Sequence, residues 1–215
     1  KLSMSLTFSD FAIADTLKQA LVDLGFSEPT SVQKIAIPSA LNGTDLLVSS
    51  KTGSGKTVAF LLPALNPLAM VAQPPMSARA KPIVTPSVLV LCPTRELAEQ
   101  VASEIRLLAR GIHNIKVLTL CGGVPAKGQI LSLEHGAHII VGTPGRILDH
   151  LQQQRLDLTE VSQLVLDEAI RKNPRLRNEM ATNRQQRIIT NQRLSQILGT
   201  NAIITIPVVV HVILP

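Results

Sequence analysis

The chain has 215 residues, 45% of them hydrophobic, and its only aromatic residues are Phe8, Phe11, Phe26 and Phe60. That suits one domain, or one domain plus an appendage, with an aliphatic core, and it excludes base stacking on a Tyr or Trp platform. The net charge of +6 is unevenly placed: 14 basic and 14 acidic residues cancel up to position 170, and residues 171–215 carry seven basic and one acidic. The basic balance therefore describes a tail and not a domain-wide nucleic-acid surface.

Cys92 and Cys121 each end an apolar run, and their spacing fits no metal motif. They read as buried thiols in a reducing compartment, which predicts a cytoplasmic protein. The five histidines make no i, i+4 ligand pair with a Glu, so no metalloenzyme chemistry is assigned. No secretory signal is visible at the N-terminus. The longest apolar stretch, Ala202–Leu214, is too short for a bilayer and is broken by Pro207, so no membrane partner is expected.

In chain order the first apolar run is "DLLVSS" (45–50), which predicts a strand. It leads into "SSKTGSGKTVAF" (49–60), a glycine-rich loop that opens an apolar helix. Such a loop, Ser50, Lys51, Thr52, Gly53, Ser54, Gly55, Lys56 and Thr57, turns backbone N–H groups toward phosphate oxygens, with the helix N-terminus adding a favourable field. Lys56 is expected to reach the β- and γ-phosphates of a nucleotide, and the Thr57 hydroxyl to bind Mg²⁺. Ser50 stands where Ala or Gly is usual.

Residues 66–86 are proline-rich without periodicity and read as an exposed loop. Further strands are predicted at "SVLVLC" (87–92), "KVLTLC" (116–121), "HIIVG" (138–142) and "QLVLDE" (163–168). Between the first two lies "TRELAEQVASEIRLLARG" (94–111), apolar at 97, 101, 105 and 108, with Gly111 as a stop. Strands alternating with helices predict a mostly parallel sheet with helices on both faces. Asp167 and Glu168 end the last of these strands. Asp167 is expected to hold Mg²⁺ through water, and Glu168 to orient or deprotonate the attacking water.

With these motifs in order, residues 6–169 resemble the first RecA-like domain of DEAD-box RNA helicases, an ATP-binding P-loop fold. "GFSEPTSVQ" (25–33), with Phe8 seventeen residues before Gly25, is similar to that family's adenine-reading motif. The resemblance implies that Gln33 bonds the adenine edge, that Phe8 packs on the ring, and that Phe26 and Thr30 belong to the same pocket. "PTRELA" (93–98), the pair Gly122–Gly123 and "TPGR" (143–146) are similar to its RNA-facing segments. Pro93, Thr94, Arg95, Gly122, Gly123, Thr143, Pro144, Gly145 and Arg146 are thereby implied to hold an RNA backbone, without reading its sequence. The implied activity is ATP hydrolysis coupled to RNA unwinding when a second RecA-like domain, missing from this chain, is paired with the first. The motif set argues against a small-molecule P-loop kinase.

The chain also departs from the family. Ile170 stands where the acidic motif ends in a second Asp, and the Ser-Ala-Thr segment of the following strand is absent. This favours an alternative, a nucleotide- and RNA-binding module without effective turnover. The division expected is a RecA-like domain over 1–170 and a basic, divergent tail over 171–215. The tail is expected to supply a helix over 175–198 and, at Ala202–Ile206, a strand inserted beside the phosphate-loop strand and ended by Pro207; the alternative is a disordered tail and a destabilised sheet.

Overall fold

The structure is a computed structural model that describes residues 6–49, 51, 53–71, 84–167 and 209–214. After a 3-10 turn at Phe8–Asp10, the order is α1 (Asp15–Asp23), α2 (Ser31–Leu41), β1 (Leu46–Ser49), α3 (Lys56–Met70), β2 (Val88–Leu91) and α4 (Arg95–Leu108). Then come β3 (Val117–Leu120), α5 (Ala126–Glu134), β4 (Ile139–Gly142), α6 (Pro144–Gln152), β5 (Gln163–Asp167) and β6 (Val209–Leu214). The predicted strands at 45–50, 87–92, 116–121, 138–142 and 163–168 all form, those at 87–92, 116–121 and 138–142 slightly shorter than their apolar runs.

The sheet has six strands in the order β1-β6-β5-β2-β4-β3, and every pairing is parallel. Parallel strands linked by helices are covered on both faces, and the strands here show it. Val88, Val90, Ile139, Val141 and Val165 join the core built by α1, α3 and α4. Their alternates Leu89, Leu91, Ile140, Leu164 and Leu166 point to the opposite face and are equally buried. This explains why the strands read as unbroken apolar runs and not as alternating ones.

α3 runs through the middle of that core. Val58 to Leu65 are buried without interruption, so the helix is apolar all round. It also corrects the expected loop over 66–86, because the helix continues through Pro67 to Met70. Pro63 and Pro67 each remove a helical N–H, which costs intrahelical bonds. Packing overrides this: Leu65 and Leu68 are buried, and Asn66 fastens the last turn to the chain near its start. Its Oδ1 accepts from Ala14 N at 2.9 Å and its Nδ2 donates to Ala12 O at 3.3 Å. The rest of the expected loop, residues 72–83, lies outside the described residues.

The strand expected at Ala202–Ile206 is also corrected. The slot between β1 and β5 is filled by Val209–Leu214, after Pro207 and not before it. The register pairs Leu46 with His211 and Ser49 with Leu214 on one side, and Gln163 with Val209 and Asp167 with Ile213 on the other. A strand bonded on both sides must donate along both edges, and proline has no N–H to give. The run from Val208 to Leu214 is unbroken, rich in β-branched residues and free of proline. Residues 175–198, expected to be helical, and 202–206 lie outside the described residues.

β6 is the sole ladder partner of β1 among the described residues. A chain cut after residue 208 leaves backbone groups on β1 and β5 unpaired, each at about 1–3 kcal/mol. A domain stable by only about 5–15 kcal/mol does not withstand several such losses. Urea titration followed by circular dichroism is expected to show no cooperative transition for the cut chain, and a sharp one for the full chain.

Candidate nucleotide site and RNA-facing rim

In a parallel sheet all the loops that follow strands emerge at one edge, which is where open α/β sheets bind ligands. The loops after β1, β2, β3 and β4, and Asp167 at the end of β5, share that edge. The predicted segments are therefore neighbours in space, although they lie over 110 residues apart in sequence.

The loop after β1 turns sharply. Ser54 N donates to Lys51 O at 3.2 Å, and Gly53 and Gly55 take φ of 81° and 84°, which side-chain-bearing residues rarely adopt. Gly55 is the residue from which α3 starts. A methyl group there would collide with the Gln33 amide.

Gln33 is almost wholly buried, at 1% exposure. The sequence Thr30-Ser31-Val32-Gln33 forms a capping box at the start of α2. Gln33 N donates to Thr30 Oγ1 at 3.4 Å, and Thr30 N donates to Gln33 Oε1 at 2.9 Å. Both side chains then reach across to the phosphate loop. Gln33 Nε2 donates to Gly55 O at 3.0 Å, and the Thr30 hydroxyl donates to Ser54 O at 2.8 Å. Gln33 thus has a second task besides the one the resemblance implies: it fixes the carbonyl from which the loop turns into α3.

A cavity of about 650 Å³ opens beside this loop. It is lined by Gly53, Gly55, Lys56, Thr57 and Asp167, together with Leu24, Phe26, Leu97, Gln100, Glu104 and Leu107. The size lies within the usual range for small-ligand sites. Phe26, 37% exposed, offers its ring to the cavity, whereas Phe8 is buried behind it. The two rings meet edge to face at 6.4 Å, and Phe8 meets Phe11 in the same way at 5.9 Å. The residues fit a nucleotide triphosphate with Mg²⁺. Among the described residues the buried Ser54 hydroxyl has no hydrogen-bond partner, the loop is held open by two left-handed glycines, and Lys56, Thr57 and Asp167 converge on one space. No cluster of three or more metal-ligating side chains occurs among the described residues. Mg²⁺ needs only one or two protein ligands beside phosphate oxygens and water. Ser50, Thr52 and Glu168 lie outside the described residues.

The rest of the rim is built by helix starts. Thr94 caps α4, its Oγ1 accepting from Leu97 N at 3.3 Å, and Pro93 precedes it. Arg95 is exposed and pairs with Glu99 at 2.7 Å. Pro144 opens α6 in the first-turn position that proline tolerates. Thr143 Oγ1 accepts from Gly122 N at 3.4 Å. A Cβ on Gly123 (φ 80°) or Gly145 would meet no neighbour within 4 Å, so the backbone is open there.

Arg146 is not displayed like Arg95. Its side chain is 14% exposed, its Nη1 donates to Gln129 Oε1 at 3.0 Å, and its Nη2 donates to Val124 O at 3.0 Å. Gln129 and His150, buried beneath it, were not expected from the sequence. A polar residue on the inner side of a short helix is the only trace they leave.

The sheet order, the phosphate loop after β1 and the acidic residue ending β5 define a RecA-like P-loop domain. The chain belongs to the DEAD/DEAH box helicase family, whose family model matches residues 30–205. It is 49% identical over 151 residues to ATP-dependent RNA helicase DbpA of Escherichia coli K12, covering 70% of this chain and 31% of that protein. It is 44% identical over 163 residues to ATP-dependent RNA helicase DeaD of Klebsiella pneumoniae, covering 76% and 24%. Among solved structures, a hypothetical ATP-dependent RNA helicase from Sulfolobus tokodaii superposes with a TM-score of 0.66 at 32% identity, covering 93% of this chain and 49% of that one. The chain thus spans about a quarter to a third of the curated relatives' length. No helix among the described residues is long and apolar enough to cross a membrane.

Two buried histidines, His138 before β4 and His150 on α6, link stability to pH. Burial, and then the Lys116 charge, lowers the pKa of His138, whose Nδ1 accepts from Lys116 N at 3.1 Å. Burial also lowers that of His150, against a smaller opposing effect of Asp149 and with Arg146 and Arg155 adding to the lowering. A histidine whose folded pKa lies below its unfolded value binds more protons when unfolded. Its contribution is full above about pH 6.5, the ordinary histidine value, and is lost as pH falls below it. The urea midpoint is expected to drop between pH 7 and pH 5, and to drop less in His138→Gln.

Proposed function

We propose that this chain is the ATP-binding, RNA-facing first domain of an ATP-dependent RNA helicase, a cytoplasmic protein whose ATP hydrolysis drives RNA unwinding together with a second RecA-like domain. The observation that carries this reading is the convergence of Gly53, Gly55, Lys56, Thr57 and Asp167 on one cavity in a chain of this family. In this reading the N–H groups of residues 53–57 and the Lys56 ammonium hold the phosphates, and Thr57 and Asp167 hold Mg²⁺. When bound, Mg²⁺ neutralises charge on the β- and γ-phosphate oxygens. Glu168 orients the attacking water and takes its proton. Phe26 packs on the base with Phe8 supporting it from behind, which modifies the stacking role expected of Phe8. Gln33 does not line the cavity and is 1% exposed, so it meets an adenine edge only once the base is seated against it, through the second proton of Nε2 and the second lone pair of Oε1, while Gly55 and Thr30 keep the first of each.

The segments Pro93–Arg95, Gly122–Gly123 and Thr143–Arg146 take an RNA strand by its sugar–phosphate backbone. The support is their common edge, the exposed Arg95, and the open backbone at Gly123 and Gly145. Among the described residues no side chains are arrayed to read bases, so binding is largely independent of sequence.

Calorimetry tests the nucleotide reading. Lys56→Ala is expected to weaken Mg²⁺–ATP binding by well over about tenfold, since it removes the charge on the transferred phosphate. ATP is expected to bind more tightly than GTP. Unchanged affinity in the variant, or equal affinity for the two nucleotides, overturns the assignment. Gln33→Ala is expected to weaken both nucleotides as well as their discrimination, because Gly55 O loses its brace; a loss confined to ATP would show that the brace is dispensable.

A further inference from the structure

The Gly122–Gly123 turn is gripped on both sides by a polar network that joins Thr143 and Arg146 to two buried residues outside the helicase motifs, Gln129 and His150. Gln129, on α5, is 8% exposed. Its Nε2 donates to Cys121 O at 2.9 Å, just before the turn. Its Oε1 accepts from Arg146 Nη1 at 3.0 Å and lies 3.1 Å from His150 Nε2. A carbonyl on one side and a guanidinium on the other fix which end of the amide is oxygen, so His150 must donate from Nε2. His150 is fully buried, and its Nδ1 has no partner among the described residues. Arg146 then donates from Nη2 to Val124 O at 3.0 Å, just after the turn. The third hold is Gly122 N on Thr143 Oγ1 at 3.4 Å.

We infer that Gln129 is a positioning residue for RNA, and that Arg146 acts mainly as its partner and not as a phosphate ligand. The inference rests on the RNA-facing reading of the rim and assigns the labour within it. Two of Arg146's donor nitrogens are directed inward, one onto each end of the network, and only 14% of its side chain is exposed. The open backbone of Gly123, at φ 80° and with no atom within 4 Å of where a methyl group would stand, is what the network presents. A turn of this kind binds a phosphate through its N–H groups only if those groups are already aimed, because aiming them at the moment of binding costs conformational entropy. Gln129 and Arg146 do the aiming, and His150 supports Gln129 from beneath.

The experiment measures binding of the full chain to a fluorescein-labelled oligouridylate across a range of salt, and binding of a fluorescent ADP analogue as a control. Gln129→Leu is expected to weaken RNA binding by about fivefold or more, the equivalent of one lost hydrogen bond. ADP binding and the slope of log affinity against log salt stay unchanged. Arg146→Gln is expected to weaken RNA binding without changing that slope, whereas loss of a direct phosphate contact on a single strand lowers it by about 0.7. Arg95→Gln, which removes an exposed charge, is expected to lower it. If Gln129→Leu binds ADP poorly, Gln129→Met replaces it as the less branched substitute, and Arg146→Gln still decides the role of the guanidinium. An RNA affinity unchanged by either Gln129 variant, or a slope reduced in Arg146→Gln, overturns the inference while leaving the RNA-facing reading intact. Absence of RNA binding by the unsubstituted chain overturns that reading and the inference with it.

Discussion

The site depends on the spacing of a parallel ladder. Neighbouring strands stand about 4.8 Å apart, so one intervening strand separates two others by about 10 Å. β6 is that intervening strand, with Ser49 at the end of β1 on one side and Asp167 at the end of β5 on the other. Their registers on β6 differ by a single residue, so the phosphate loop and the carboxylate leave the sheet side by side. A phosphate group and a hydrated cation fit between groups so placed. Were β1 and β5 paired directly, the same residues would crowd each other. The tail therefore matters to the chemistry through geometry, although it supplies none of the proposed ligands.

Two loops at this rim are shaped by one device. Glycines in left-handed conformations make the turn, and a buried glutamine amide fixes it. Gln33 holds Gly55 O in the phosphate loop, and Gln129 holds Cys121 O in the Gly122–Gly123 turn. In both cases the amide oxygen is also used, by Thr30 N in one and by Arg146 and His150 in the other. A buried amide left half-satisfied is costly, so each glutamine is committed to one arrangement. The loops keep open backbone toward the cavity or the rim while the side chains that shape them stay inside.

The strands were legible because buried parallel strands are continuous apolar runs, and the one at 87–92 stands between Pro86 and Pro93. The phosphate loop was legible because its chemistry is confined to a few consecutive residues. Starting the loop at residue 66 failed because Pro67 argues locally against a helix, while Leu65, Leu68 and the two bonds of Asn66 argue for one up to Met70 from elsewhere in the fold. The inserted strand was placed too early for a related reason. Ala202–Ile206 and the run after Pro207 are both β-prone and free of proline, and the second is the longer, seven residues against five.

The sequence by itself determined the order of the elements, the phosphate loop and the family, because these depend on neighbours in the chain and on residue types at fixed spacing. Only the tertiary structure decided what Gln33, Phe8, Arg146, Gln129 and His150 face. Gln33 turned out to brace the loop, Phe8 to stand behind Phe26, and Arg146 to point inward at a glutamine that no motif marks. The direction of a side chain is set by which elements pack against it, and those partners lie 17 to 22 residues away for Arg146 and 22 for Gln33. A pattern of types along one chain carries no record of such contacts.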